Sequence, residues 1–340
     1  MTLKRILVTG AGGFIGYNLA NELARTGFEI KGLDLHFPEN GRQPRKAHFE
    51  RVVGDFRDSK SLREAIVGAD AIIHLASAHL DVGLPPREYW DINVRSIPAL
   101  LEQARASGVQ RFVHISSAGV YGRLAQCPAD EETPCYPQSI YGRTKLEGER
   151  KALEFHRQSG FPVVVLRPAW VYGPGCPRTM KLFRALKNRR FVMIGSGRNL
   201  RHPVFIDDFI TACTLALSSE DAVGEIIIIA GPDVLTTREL VGGFCSALDL
   251  AQPRARVPYV ITRWLAVIAE TAFGLVGKAP PISRRNLEFF DTDNAFDTRK
   301  AVRILGFKPV HNLQQGLAST RNWLEQRVPN EVELVSTGVF

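Results

Sequence analysis

Tyr141 and Lys145 stand four residues apart in Tyr141-Gly142-Arg143-Thr144-Lys145, a spacing that puts both on one face of a helix. A phenol exchanges a proton near neutral pH only when its pKa falls, and an ammonium one turn away favours the phenolate. The chemistry that fits is proton transfer at the oxygen of a secondary alcohol or ketone while hydride moves at its carbon. Upstream, the apolar run 111–116 ends in Ser116-Ser117-Ala118-Gly119-Val120-Tyr121-Gly122, and Ser117 would hold the substrate oxygen.

A hydride needs an acceptor, and the amino terminus supplies the place for one. Residues 4–8 read as a buried strand, glycines fall at 10, 13 and 16, and residues 14–23 carry apolar residues at helical spacing. Strand, glycine turn and helix start make a nest of backbone N–H groups with the helix dipole aimed at it. Gly10 permits the turn, Gly13 admits a pyrophosphate, and Gly16 lets the helix lie against the strand. A second strand, 28–33, ends in Asp34, whose carboxylate suits two ribose hydroxyls and repels a 2′-phosphate. That favours NAD over NADP, although Arg42, Arg45 or Lys46 could swing toward the ribose. Lys145 can also bond the nicotinamide ribose.

Further strands are expected at 49–53, 70–75, 111–116 and 162–166, with helices at 59–67, 87–107 and 139–158. This alternation predicts an α/β fold, a doubly wound parallel sheet of Rossmann type. Gly10, Asp34, Asp55, Ala76, Ser117 and Pro168 then fall at six strand ends along one crevice, where such sheets bind ligands. The sheet domain is expected over 1–169, and a smaller α/β substrate part over 170–340, with some interleaving of elements.

The chain has 340 residues, 45% hydrophobic and 23% charged, which is a globular composition with room for a large core. The net charge of +8 suits an anionic ligand or an acidic surface. It is spread along the chain, densest at 187–190, and reads as solvated surface rather than a nucleic-acid site. Cysteines 127, 135, 176, 213 and 245 are odd in number and widely spaced, pointing to reduced thiols in a cytoplasmic protein without a metal site. The first strand begins too early to leave room for a signal peptide.

The combination of motifs resembles the extended short-chain dehydrogenases/reductases, which include nucleotide-sugar epimerases and dehydratases and 3β-hydroxysteroid dehydrogenases. The resemblance rests on Thr9-Gly10, His74-Leu75-Ala76, Asn93, 117–122, Tyr141 with Lys145, Leu166-Arg167-Pro168, 171–174, 204–208 and 305–309, and so spans nearly the whole chain. It implies Ser117, Tyr141 and Lys145 as the catalytic set. It also implies a cofactor site of Gly10, Gly13, Phe14, Ile15, Gly16, Asp34, Leu75, Ala76, Ser77, Asn93, Pro168 and Val171, with Asp55 and Phe56 flanking adenine. A homodimer built on helices 87–107 and 139–158 is implied as well.

The substrate is the divided point. Members acting on nucleotide sugars usually carry asparagines where this sequence has Trp170 and the 179–183 run, and Trp170, Met180 and Phe183 suit a flat or oily substrate. Against this, Gly195-Ser196-Gly197 followed by Arg201 resembles the sugar-nucleotide branch, where such an arginine clamps phosphate. Arg201 could equally pair with Asp207 or Asp208. Residues 258–277 form an oily segment with a narrow polar stripe of Arg263 and Glu270: a core helix, a lid, or a helix resting on a membrane surface. The expectation is an NAD-dependent oxidoreductase for a largely apolar alcohol or ketone; the alternative is a nucleotide-sugar 4-epimerase, with a dehydratase less favoured because Ala118-Gly119 offers no carboxylate beside the serine.

Overall fold

The computed structural model describes residues 3–38, 49–79, 84–275 and 284–327. Arg42, Arg45 and Lys46 lie outside them, so their expected approach to the ribose does too. Six expected strands form: β1 (Arg5–Thr9), β2 (Glu29–Asp34), β3 (Glu50–Val53), β4 (Ala71–His74), β5 (Arg111–Ile115) and β6 (Val163–Pro168). A seventh, Ile226–Ile229, pairs in parallel with β6, and the sheet runs from it through β6, β5, β4, β1 and β2 to β3. This strand lies beyond residue 170, so the sheet draws on both parts of the chain.

Within one apolar strand, side chains alternate between faces. In β1, Ile6 and Val8 join the core beneath α1 (Phe14–Arg25) and the helix Ile206–Ser218, together with Leu19, Leu23 and Phe209. Leu7 faces the other way, with Leu62 of α2 (Ser59–Ile66) and Leu100. Both faces of a parallel sheet must be covered, and here both are.

The helix expected over 87–107 forms with one irregularity inside it. The chain makes α3 (Pro86–Trp90), a wide π turn over Asp91–Arg95, and α4 (Ile97–Ala106). Pro98 has no N–H to give to the preceding turn, and the ladder widens just before it while Trp90 and Ser96 at the joins stay right-handed helical. By contrast α5 (Ile140–Ser159) is continuous, started by the Ser139 hydroxyl accepting from the Gly142 N–H at 3.0 Å and ended by Gly160 in the left-handed conformation. No helix among the described residues is long and apolar enough to cross a membrane.

Candidate active site

Because all sheet strands are parallel, their carboxyl ends share one rim, and the order reverses between β1 and β4. There Gly10 has φ +74°, and a Cβ on it would stand 2.6 Å from the Ala76 nitrogen. A Cβ on Gly16 would meet the Gly10 oxygen at 2.1 Å, so helix and turn pack backbone to backbone. Gly13 differs. A Cβ there would approach only the Gly10 oxygen, at 3.4 Å, so no protein neighbour compels glycine at this position. As Gly13 is also the N-cap, no side chain caps α1, and its first-turn N–H groups at Phe14 and Ile15 are left for an anion. Asp34, at the end of β2, accepts from the Gly12 N–H at 2.9 Å and the His36 N–H at 3.3 Å. An uncapped helix beside a bare glycine and a ribose-height carboxylate fits a dinucleotide.

Leu75 and Ala76 are tied to β1 through the Thr9 carbonyl at 3.1 Å and the Thr9 hydroxyl at 3.3 Å, and Ser77 follows half-buried. Phe56 is buried edge-on to His74, while the Asp55 carboxylate binds Arg57. Asn93, expected to touch the cofactor, is committed elsewhere. Its amide accepts from the Ala78 N–H at 2.8 Å and donates to the Ala78 carbonyl and to Thr144 Oγ1 at 3.1 and 3.0 Å. It therefore clamps the loop after β4 to α5. The π turn brings the Asn93 carbonyl so close to α5 that only glycine fits at 148.

The triad assembles where β5 ends. Ser117 Oγ accepts from the Gly119 N–H at 3.0 Å and is hydrogen-bonded to the Tyr141 phenol. A Cβ on Gly142 would stand 2.6 Å from the Gly119 oxygen, so glycine there lets the start of α5 close on this turn. Lys145 is 3% exposed and its Nζ donates to the Ile115 carbonyl at 2.5 Å. Burial lowers its pKa to about 8, with Glu149 one turn further on opposing the fall. Burial pushes the Tyr141 phenol upward, and the bond to Ser117 and the charge of Arg178 work the other way. The expected assistance from Lys145 is not seen here, because its ammonium is directed at the strand.

Two neighbours escaped the sequence reading. The His79 ring meets Tyr141 edge-on, centroids 4.7 Å apart, and Arg178 brings its charge to the same phenol. Each lies just past a recognisable motif, His79 after Leu75-Ala76-Ser77 and Arg178 after Gly173-Pro174, and that is the only signal either carries. Beneath Lys145, His74 and His114 stack at 5.7 Å, and burial holds both imidazoles neutral, His74 at about 3. Glu149 forms a buried bidentate pair with Arg167, which also donates to Tyr121 Oη at 2.7 Å.

Trp170 follows β6 and lies parallel to Phe244 at 6.3 Å and edge-on to Phe289 at 6.4 Å. Its indole N–H is buried and bonded to nothing among the described residues. Phe183, expected beside the substrate, sits in the core against Phe244 at 5.0 Å and backs this wall; Val171 is likewise core, paired with Val204. Met180 is half-buried against the same core. Arg201 is 5% exposed, its guanidinium 4.4 Å from the centre of the Phe289 ring. Burial lowers its pKa to about 10, with Asp293 as the opposing carboxylate. Asp208 is spoken for by the N–H groups of Val310 and His311 and by the His311 ring. Among the described residues no group of three or more His, Cys, Asp or Glu could hold a metal.

Residues 6–230 match the profile of the NAD dependent epimerase/dehydratase family. The chain belongs to that family: it is an NAD-dependent enzyme of the extended short-chain dehydrogenase/reductase type. Among its relatives, N-acetyl-α-D-glucosaminyl-diphospho-ditrans,octacis-undecaprenol 4-epimerase of Escherichia coli O157:H7 is 26% identical, with 93% of each chain covered. The dTDP-glucose 4,6-dehydratase of Streptomyces niveus is 32% identical, over 94% of this chain and 92% of that one. The solved structure of MoeE5 in complex with UDP-glucuronic acid and NAD superposes with a TM-score of 0.74 at 27% identity, covering 95% of this chain and all of the other.

Proposed function

We propose that the protein is a 4-epimerase acting on a sugar carried by a diphosphate. The observation that carries this reading is the buried indole N–H of Trp170, bonded to nothing among the described residues, in the aromatic wall that Trp170 forms with Phe289. A buried donor left unbonded costs about 1–3 kcal/mol, and an oxygen-rich ligand restores that where a hydrocarbon body does not. That N–H suits a phosphate or sugar oxygen, and Arg201, 5% exposed with its guanidinium 4.4 Å from the centre of the Phe289 ring, brings positive charge to the same wall. Trp170 thus weighs less toward an apolar substrate than its ring suggests. The relatives named above act, by their names, on sugars borne on diphosphates, which supports the same class. Between epimerase and dehydratase, Ala118-Gly119 favours the epimerase, because it offers no carboxylate beside the serine.

Gly10, Gly13, Gly16 and the start of α1 would hold the NAD diphosphate, Asp34 its adenosine ribose, and Lys145 the nicotinamide ribose. Bound NAD supplies a hydride acceptor that is also the hydride's source on the return. Ser117 holds the 4-hydroxyl, and Tyr141, entering the step as its phenolate, takes that proton as the C4–H bond breaks, leaving a 4-keto sugar. The ketone would then turn its other face, and Tyr141 would return the proton to its oxygen. The net redox change is zero. Arg201 and Trp170 hold the diphosphate while the sugar turns. We infer also that the helices at 97–106 and 140–159 meet their copies in a homodimer, and that 1–169 and 170–340 divide cofactor from substrate binding.

The experiment is to purify the protein, measure bound nucleotide, and offer diphosphate sugars without added NAD. Interconversion at C4 with no net NADH supports the reading. Stoichiometric reduction of added NAD by a sterol-like alcohol, with no sugar turned over, overturns it in favour of the apolar dehydrogenase.

A further inference from the structure

We propose that the helix Tyr259–Leu275 is a membrane-surface anchor, laying an apolar stripe into an anionic lipid bilayer. Successive residues of a helix turn by about 100°. Val260, Ile261, Trp264, Leu265 and Ile268 therefore fall within one arc of about 140°, and they are 65, 52, 66, 51 and 62% exposed. The opposite side is the one that packs, with Thr262 and Ala266 buried. A tryptophan among branched aliphatics on one open face, with Arg263 on its flank, is how interfacial helices are composed.

The surroundings say what covers the stripe. Residues 177–200 and 250–269 carry ten Arg and Lys and no Asp or Glu, and all ten are exposed. The two segments are joined in space, for Met193–Ile194 pairs in parallel with Arg256–Val257. This sets the basic turn Lys187, Arg189 and Arg190 beside Arg254 and Arg256, directly at the start of the helix. Arg254, Arg256 and Arg263 make no ion pair with a described residue. A second copy of the same face would bring these charges against their like. The five side chains also offer on the order of 500 Å² of apolar surface, short of the about 800 Å² that each partner buries in a stable dimer. Anionic headgroups answer both features at once: the stripe sinks among acyl chains and the arginines reach phosphate. Arg178, whose charge reaches Tyr141, belongs to the same basic tract, so the anchored face continues toward the candidate active site.

The test is flotation of the full-length protein with phosphatidylcholine vesicles and with vesicles that also contain phosphatidylglycerol. Binding to the anionic vesicles, weakening with salt and accompanied by a blue shift of tryptophan emission, is expected. Trp264→Glu with Ile268→Glu should abolish binding, and Arg254→Gln with Arg256→Gln should weaken it about tenfold, both with bound NAD unchanged. The proposal is overturned if wild type stays with the unbound protein on anionic vesicles, or if Trp264→Glu with Ile268→Glu binds them equally well. It is overturned also if light scattering shows an oligomer that those two substitutions dissolve, for then a second copy covers the stripe.

Discussion

Lys145→Met should make the nucleotide-free protein more stable while removing its activity. The ammonium is 3% exposed and its pKa falls from 10.5 to about 8. At about 1.36 kcal/mol per pKa unit, the fold bears about 3 kcal/mol to keep this group charged. Methionine keeps the length and drops the charge, but gives up the bond to the Ile115 carbonyl, worth about 1 kcal/mol. The net gain is about 2 kcal/mol at pH 7. The sign with pH follows from linkage: between 8 and 10.5 the unfolded chain binds the proton that the folded chain has released, so wild-type stability rises with pH across that window. The advantage of Lys145→Met should therefore fade to nearly nothing by pH about 10. Urea midpoints of the two proteins at both pH values measure it. A variant less stable than wild type at pH 7, or an advantage that does not change with pH, would refute the claim that burying this charge is costly.

Tyr141→Phe should lower turnover by about 10² to 10⁴ while nucleotide binding, followed by fluorescence, is kept. Arg167→Leu strands the Glu149 carboxylate, 1% exposed, and should destabilise by about 3–5 kcal/mol, read from urea midpoints; adding Glu149→Gln should recover much of it. Acid should unfold the protein through His74 and His114. Their folded pKa values lie below the ordinary 6.5, so the unfolded chain takes up protons as pH falls from 6.5 and stability drops over that range. His114→Phe, which removes two imidazole nitrogens without hydrogen-bond partners among the described residues, should shift the acid midpoint downward, as followed by circular dichroism.

Much of the site was legible before the fold was known, and for local reasons. Tyr141 and Lys145 share a face because of a spacing of four, and the Ser139 cap places the tyrosine in the first turn of α5. Gly10 and Gly16 sit where backbones touch, which their order between strand and helix already implied. The helix expected over 87–107 forms, and the π turn inside it goes with a local signal, Pro98. The partners of the Asn93 amide were not legible, because Ala78 and Thr144 reach it from other parts of the chain.

The alternation of strands with helices, the nucleotide turn and the helical pairing of phenol with ammonium were determined by residues within a turn or two of one another, where steric rules and periodicity act without help. The tertiary structure alone decided which groups lose water. The burial of Lys145 under β5, the sealing of Arg201 against Phe289, the seventh strand beside β6 and the open side of the helix Tyr259–Leu275 each depend on chain distant in sequence. Charge is read from composition, but its cost is set by the neighbours that folding supplies.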